Sequence, residues 1–75
     1  MKNKIINLIS QILETSVTNK STQDNIENWD SLNHIKIILE LQDKFEIKIP
    51  INKIDKLISV DEIIKYITNK IISHD

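Results

Sequence analysis

The sequence predicts an all-α fold, a small bundle of three long helices plus one short helix. Apolar residues recur at helical spacing in three separate segments of the 75-residue chain. Two of these segments begin next to a helix-capping residue, and the single proline interrupts the chain after the second. We expect one domain over residues 1–75, because a chain of this length supports one thin core.

The first predicted helix runs from about Lys4 to Thr15. Between Thr18 and Asp30 the helical periodicity stops and polar residues dominate, which predicts a long loop. Ile26 and Trp29 are the apolar residues of that loop, and we expect them to hold it against the core. The apolar face of the first helix comprises Ile5, Leu8, Ile9 and Ile12, flanked by Ile6 and Leu13.

The second predicted helix runs from about Ser31 to Phe45, with Asp30 as its N-cap. After it, isoleucines at 47, 49 and 51 alternate with other residues, a pattern typical of a strand. A solitary strand without a partner is not stable. We therefore expect an extended loop in which Ile47, Ile49 and Ile51 fill the core.

A short helix is expected around Asn52 to Leu57. The last helix is predicted to begin at Ser59, because Ser59 and Glu62 have the spacing of a capping box. It continues to near the C-terminus, and its apolar face comprises Val60, Ile63, Ile64, Ile67 and Ile71.

Composition limits the possible functions. Ten basic and eleven acidic residues give a net charge of -1, which argues against nucleic-acid binding. The sequence has no apolar run long enough to span a bilayer and no leader pattern, so we expect a cytoplasmic protein without membrane insertion. Without cysteine, any thioester needs a sulfur from elsewhere. Paired carboxylates, metal-ligand spacing and a phosphate-binding glycine loop are all missing, so we expect no enzyme.

Ser31 is the candidate site for chemistry, because it lies at the predicted start of the second helix. A phosphodiester on its hydroxyl would meet the free N–H groups and the positive end of the helix dipole. An ordinary helix-start serine is the alternative. His34 is the nearby candidate base for a Ser–His site, but a histidine at the core edge is the preferred interpretation. His74, close to the C-terminus, is uninformative.

The second helix has two apolar faces when its residues are placed about 100° apart. One face, including Ile37 and Leu41, is predicted to contact the core. The other, which we call the apolar stripe, consists of Leu32, Ile35 and Leu39 and begins beside the serine. It lies buried under the polar loop, or it is a docking surface for partners, rimmed by charge. Both could hold, with Leu32 and Ile35 exposed and Leu39 partly covered.

A family resemblance joins these features. The order of helix, long loop, helix, short helix and helix covers nearly the whole chain and is similar to that of the acyl carrier proteins. Two segments carry the resemblance at the spacing typical of that family, Asp30-Ser31-Leu32 at the helix start and Phe45-Glu46-Ile47-Lys48-Ile49-Pro50 at its end.

The resemblance implies that Ser31 receives 4′-phosphopantetheine from coenzyme A through a separate phosphopantetheinyl transferase. The thiol of this arm would hold acyl groups as thioesters for acyl-loading, synthase or acyltransferase enzymes of fatty-acid, polyketide or related specialised biosynthesis. A monomer is expected. The residues implied in partner recognition are Asp30, Leu32, Ile35, Lys36, Leu39 and Asp43.

Two features depart from the family pattern. Its second helix is commonly strongly acidic, whereas here Lys36 and Lys44 accompany Glu40 and Asp43, so partners are expected to be less basic than usual. Asn28 stands where the family often has a glycine, two positions before the aspartate, and Trp29 follows it; this combination is more similar to discrete carriers of specialised pathways than to the housekeeping fatty-acid carrier.

Two alternatives remain open from the sequence. The same serine could serve an aminoacyl, peptidyl or D-alanyl carrier. The chain could also be a helical protein-interaction module without a prosthetic group.

Overall fold

The structure, a computed structural model, describes residues 1–72, and His74 lies outside them. Apart from one isolated antiparallel bridge between Thr22 and Ser59, those residues form helices and loops and no strand. The predicted all-α class and the three long helices plus one short helix are confirmed. The helices are α1 (Lys2–Leu13), α2 (Ser31–Phe45), α3 (Ile51–Ile54) and α4 (Val60–Ile72).

The helix α1 begins and ends two residues earlier than the sequence predicts. The Met1 carbonyl accepts a hydrogen bond from the Ile5 N–H at 3.2 Å, which forms the first turn without a side-chain cap. Glu14 then adopts a left-handed backbone conformation, with φ 54° and ψ 38°, and ends the helix. Glycine usually takes this position, but the chain contains none.

The long helices share one hydrophobic core. Trp29 and Val17 from the long loop and Leu57 from the segment before α4 join it. The predicted faces are largely confirmed, although Leu13 replaces Ile12 as the buried residue at the end of α1. Residues with no exposed surface are Ile5, Ile9, Ile37, Leu41, Val60, Ile63 and Ile67.

The long loop over residues 14–30 is held by contacts with the core and by hydrogen bonds to the residues at the start of α4. Trp29 is 2% exposed and Ile26 packs partly buried against the core, as predicted. The Val60 N–H donates to the Ser21 carbonyl at 2.9 Å, and the Gln23 N–H donates to the Ile58 carbonyl at 2.8 Å. These bonds join the loop to the start of α4.

The helix α2 has the predicted bounds. Its N-cap is Asp30, as expected, and Glu46 ends it by adopting the left-handed conformation, with φ 53° and ψ 48°. Pro50 therefore does not end α2. It is the N-cap of α3, a position where its fixed φ suits the start of a helix.

The segment between α2 and α3 places its isoleucines differently from the prediction. Ile49 is buried, and its N–H donates to Gln42 Oε1 at 2.8 Å. Ile47 is half-buried, but Ile51 is 86% exposed, so the prediction that it fills the core is wrong. The alternation fails there because Pro50 begins a helix, and a helix does not keep the two-residue period of an extended chain.

The short helix α3 covers Ile51–Ile54 instead of residues 52–57. It ends at Asp55, and the chain turns before Leu57 enters the core. The capping box at α4 is half formed, since the Glu62 N–H donates to Ser59 Oγ at 3.1 Å. Within residues 1–72 no returning bond joins the Glu62 carboxylate to the Ser59 N–H. None of the helices described has the length and apolar character needed to cross a bilayer.

Candidate functional site

Ser31 is the first residue of α2 and is exposed. The Asp30 carboxylate accepts a hydrogen bond from the Asn33 N–H at 2.8 Å, and the Asp30 carbonyl accepts one from the His34 N–H at 2.8 Å. Asp30 thus caps the helix, and the Ser31 hydroxyl is not needed for capping. Within the described residues, Ser31 Oγ forms no hydrogen bond and remains free to react.

The first turn of α2 also offers backbone donors. Across the part of the chain that the structure describes, the N–H groups of Ser31 and Leu32 have no hydrogen-bond partner. Unpaired N–H groups at a helix N-terminus, together with the helix dipole, favour an anion there. A phosphodiester on Ser31 Oγ fits this environment.

His34 is buried and cannot act as the base for Ser31. The Trp29 Nε1–H, which can only donate, points at His34 Nδ1 from 2.9 Å. Nδ1 must therefore accept, and the ring proton lies on Nε2, which donates to the Ile54 carbonyl at 2.6 Å. With both ring nitrogens occupied, the Ser–His site is rejected, and the preferred core-edge position of His34 is confirmed by its 5% exposure.

This hydrogen-bonded chain, which we call the Trp–His bridge, comprises Trp29, His34 and the Ile54 carbonyl. It joins the long loop, α2 and α3. Sequence reasoning missed it, although it placed Trp29 in the core and His34 at the core edge. The available signal was chemical, because a buried indole N–H and a buried imidazole each need a hydrogen-bond partner.

Asn28 joins the loop before Ser31 to the end of α1 and to the first turn of α2. Its side-chain amide donates to the Leu13 carbonyl at 3.1 Å, at the end of α1. Its own carbonyl accepts from Asn33 Nδ2 at 2.8 Å and from the Asp30 N–H at 2.9 Å. The departure from glycine at this position thus supplies a side-chain tie between the loop and α1.

The apolar stripe of α2 faces solvent. Leu32 is 66% exposed, Ile35 44% and Leu39 57%. The alternative in which the loop buries the stripe is therefore wrong, and the stripe begins one residue after the free hydroxyl. Lys36 and Asp43, the charged residues implied in recognition, are exposed on the same helix.

The exposed Ile51 extends this apolar surface, which the sequence did not predict. Ile51 and Leu39 line the same groove of about 640 Å³ between α2 and the start of α3, together with Ile47, Ile49 and Pro50. An apolar groove next to exposed apolar side chains is a candidate contact surface for another molecule.

A comparison of the sequence with models of protein families shows the family to which this chain belongs. The sequence model of the family described as "Phosphopantetheine attachment site" matches residues 3–67, which is most of the chain. The chain belongs to this family. The match includes all of α1 except its first residue, all of α2 and α3, and the first part of α4.

Several curated relatives are similar over a shorter segment. The acyl carrier protein of Campylobacter jejuni (strain RM1221) is 42% identical over 40 residues, which is 53% of this chain and 52% of that protein. The acyl carrier protein of Campylobacter fetus subsp. fetus (strain 82-40) is 40% identical over 38 residues, 51% of this chain and 49% of that protein. That of Campylobacter lari (strain RM2100) is 32% identical over 40 residues, with 53% and 52% covered. The chain thus spans about half the length of the curated relatives it matches.

Membership of the phosphopantetheine attachment site family confirms the resemblance found in the sequence. The prosthetic group of this family is 4′-phosphopantetheine, as the resemblance implied. Its members related to this chain are carriers and not enzymes. The alternative of an interaction module without a prosthetic group is therefore disfavoured.

Proposed function

We propose that this protein is an acyl carrier whose Ser31 hydroxyl bears the 4′-phosphopantetheine arm. The observation that carries the proposal is the free, exposed Ser31 at the start of α2, directly after a capping Asp30. The arm would supply the thiol that the chain lacks, and acyl groups would be held on it as thioesters. The expected cytoplasmic location, monomeric state and single carrier domain stay part of this proposal.

For attachment of the arm, this chain needs to supply only the accessible hydroxyl of Ser31. Ser31 Oγ forms the new bond to phosphorus as the bond to the nucleotide half of coenzyme A breaks, and the hydroxyl proton passes to a base of the transferase. His34 cannot be this base, because the Trp–His bridge occupies both of its ring nitrogens. A separate phosphopantetheinyl transferase is therefore part of the proposal.

The proposed docking surface for partners is the apolar stripe, with Asp30, Lys36 and Asp43 around it. Leu32 is the most exposed member of the stripe and the nearest to Ser31 in sequence. A partner that covers the stripe would therefore lie close to the attached arm. We include acyl-loading, synthase and acyltransferase enzymes among these partners.

Acyl cargo is proposed over aminoacyl cargo. The curated relatives that match the chain are named acyl carrier proteins, and the Trp29-Asp30 pair precedes the serine where peptidyl carriers more often have a glycine-rich run. Fatty-acid, polyketide and related specialised biosynthesis use such cargo. An aminoacyl carrier would use the same serine, so loading has to be tested separately.

The attachment is tested by intact mass. The purified chain is incubated with coenzyme A, magnesium and a promiscuous phosphopantetheinyl transferase, and one phosphopantetheine is expected per chain. Ser31→Ala should show no mass gain while its circular dichroism is unchanged, because the Ser31 side chain is exposed and caps nothing. The matched control is Ser16→Ala, an exposed serine in the loop after α1, which should be modified like the native chain.

An unmodified native chain, or a modified Ser31→Ala variant, would contradict the proposed attachment. The cargo is then tested with the modified protein, by offering it acyl-activating and amino-acid-adenylating enzymes in parallel. Selective aminoacylation would replace acyl cargo with aminoacyl cargo and leave the attachment site in place.

A further inference from the structure

A second groove lies on the other flank of α2, against α1. It has a volume of about 520 Å³, and we call it the lysine groove. Three lysines and one glutamate supply its charged side chains, whereas the protein as a whole has a net charge of -1. This groove is therefore a local basic region on a slightly acidic molecule. Its charged residues are Lys4, Lys36, Lys44 and Glu40.

Among residues 1–72, none of the three lysines of this groove forms an ion pair. Lys36 and Lys44 each lie four residues from Glu40 on α2, the spacing at which helix ion pairs form. Neither forms one in the part of the chain that the structure describes, and Lys4 has no ion pair there either. Among residues 1–72, the ion pair that the structure contains joins Lys65 to Asp61, on α4. The three ammonium groups are therefore available to an outside carboxylate.

The lysine groove is continuous with the proposed docking surface. Lys36 lies one helical turn after Leu32 and three residues before Leu39, so it borders the apolar stripe. Below the charged rim, Leu8 and Ile12 of α1 give the groove an apolar floor. A partner that covers the stripe and extends toward α1 would bring its edge over these lysines.

From this charge pattern we infer that the lysine groove receives an acidic segment of the partner protein. The inference rests on the proposed function, since it extends the docking surface of the carrier. Carboxylates of the partner would pair with Lys4, Lys36 and Lys44, while apolar side chains of the same segment contact Leu8 and Ile12. Charges at the rim of an interface select partners and speed their encounter more than they add affinity. The groove thus selects clients with an acidic edge and disfavours clients with a wholly basic docking surface.

A nucleic acid is a poorer occupant than an acidic protein segment. Binding to phosphates requires a series of basic residues that displaces many counterions. The groove has three lysines, and Glu40 lies between the two on α2. Its apolar floor matches an amphipathic protein segment.

The inference is tested with two synthetic amphipathic helical peptides that share the same leucines. One carries glutamate at its charged positions and the other carries lysine. Each is titrated into the ¹⁵N-labelled, phosphopantetheinylated full-length chain, and amide shifts are recorded. We expect the glutamate peptide to bind more tightly and to shift the amides of Lys4, Gln11, Lys36 and Lys44. Because the net charge of -1 attracts the lysine peptide, non-specific attraction would give the opposite preference.

Matched charge-reversal variants show whether the lysines of the groove are responsible for binding of the glutamate peptide. Reversing both α2 lysines in K36E/K44E should weaken the glutamate peptide about tenfold, because two favourable pairs become two repulsive ones. The control K20E/K56E changes the net charge equally at exposed lysines outside the groove and should leave the affinity unchanged. Tighter binding of the lysine peptide, or equal losses in both double variants, would overturn the inference. A single-stranded DNA oligomer that binds the groove as tightly as the glutamate peptide would also overturn it.

The same samples separate this inference from the proposed function. Modification of Ser31 is measured by mass before each titration. A fully modified chain that does not prefer the glutamate peptide would refute the role of the lysine groove alone. A chain that resists modification would refute the proposed attachment, whatever the peptides do.

Discussion

The indole Nε1–H of Trp29 donates to Nδ1 of His34 across 2.9 Å, and the two rings lie 6.0 Å apart at an angle of 36°. These residues flank the Asp30-Ser31 pair in the chain, one on each side of the start of α2. The other nitrogen of His34 bonds the Ile54 carbonyl at the end of α3. The position of the candidate attachment serine thus depends on buried polar contacts as well as on the helix cap.

Removing the imidazole should destabilise the fold. His34→Phe leaves the buried Trp29 N–H without a partner and removes the shorter of two hydrogen bonds to the Ile54 carbonyl, the other coming from the Leu57 N–H. The unpaired donor costs about 1–3 kcal/mol in free energy of unfolding. Urea denaturation of His34→Phe, Trp29→Phe and the double variant measures the coupling. The double variant should lose less than the sum of the single losses, because it contains no unpaired indole N–H. Additive losses would show that the Trp29 and His34 side chains are not energetically coupled.

Asp30 caps α2, and its proposed second role, recognition by the transferase, can be separated from capping with two substitutions. Asp30→Ala removes the cap on the Asn33 N–H and should lower stability by about 1 kcal/mol, whereas Asp30→Asn should keep most of it. If the transferase reads the carboxylate, Asp30→Asn should be modified more slowly than the native chain at equal stability. Thermal unfolding and a mass time course measure the two effects. Equal modification rates for Asp30→Asn and the native chain would assign Asp30 to capping alone.

Ile49 and Ile51 form a matched pair, two residues apart, with opposite environments. Ile49→Ala should cost about 2–5 kcal/mol, since a buried side chain is removed from the core. Ile51→Ala should change stability by no more than about 0.5 kcal/mol, because 86% of that side chain is exposed. Chemical denaturation of both variants measures the difference. Similar losses would mean that Ile51 is covered in solution.

The left-handed Glu46 predicts a stabilising substitution. A residue with a Cβ in this conformation is disfavoured by about 1–2 kcal/mol, and glycine is not. Part of that gain is offset by the greater backbone freedom of glycine in the unfolded chain. Glu46→Gly should therefore raise stability by about 0.5–1 kcal/mol. The control Glu40→Gly, inside α2, should lower it by about 1 kcal/mol. A loss of stability in Glu46→Gly would contradict the assigned conformation.

The helices were predictable where the sequence contains local signals. Asp30 provides a capping side chain, so the start of α2 is found at the predicted residue. At α1 the cap is a backbone carbonyl of Met1, and the end is set by a glutamate in a conformation that glycine usually takes. Neither residue type signals a boundary, and α1 is accordingly displaced by two residues.

The sequence indicated which residues belong to the candidate site, but it did not predict all of their contacts. The helical spacing separated Leu32, Ile35 and Leu39 from the core face, but it could not decide whether the loop covers them. The partner of His34 could not be predicted either, because Trp29 approaches from a loop whose path depends on distant bonds to α4. The role of Ser31 as the attachment point stays a prediction until its modification is measured.

The free hydroxyl and the apolar stripe occupy neighbouring turns of α2. An enzyme seated on this proposed docking surface would screen the proposed tether from every competitor while it works. Two enzymes could therefore not share one carrier at the same moment, and handover would require the first to dissociate. Throughput along such a pathway would depend on fast release, so a mutation that tightens one of these contacts should slow the whole series of reactions.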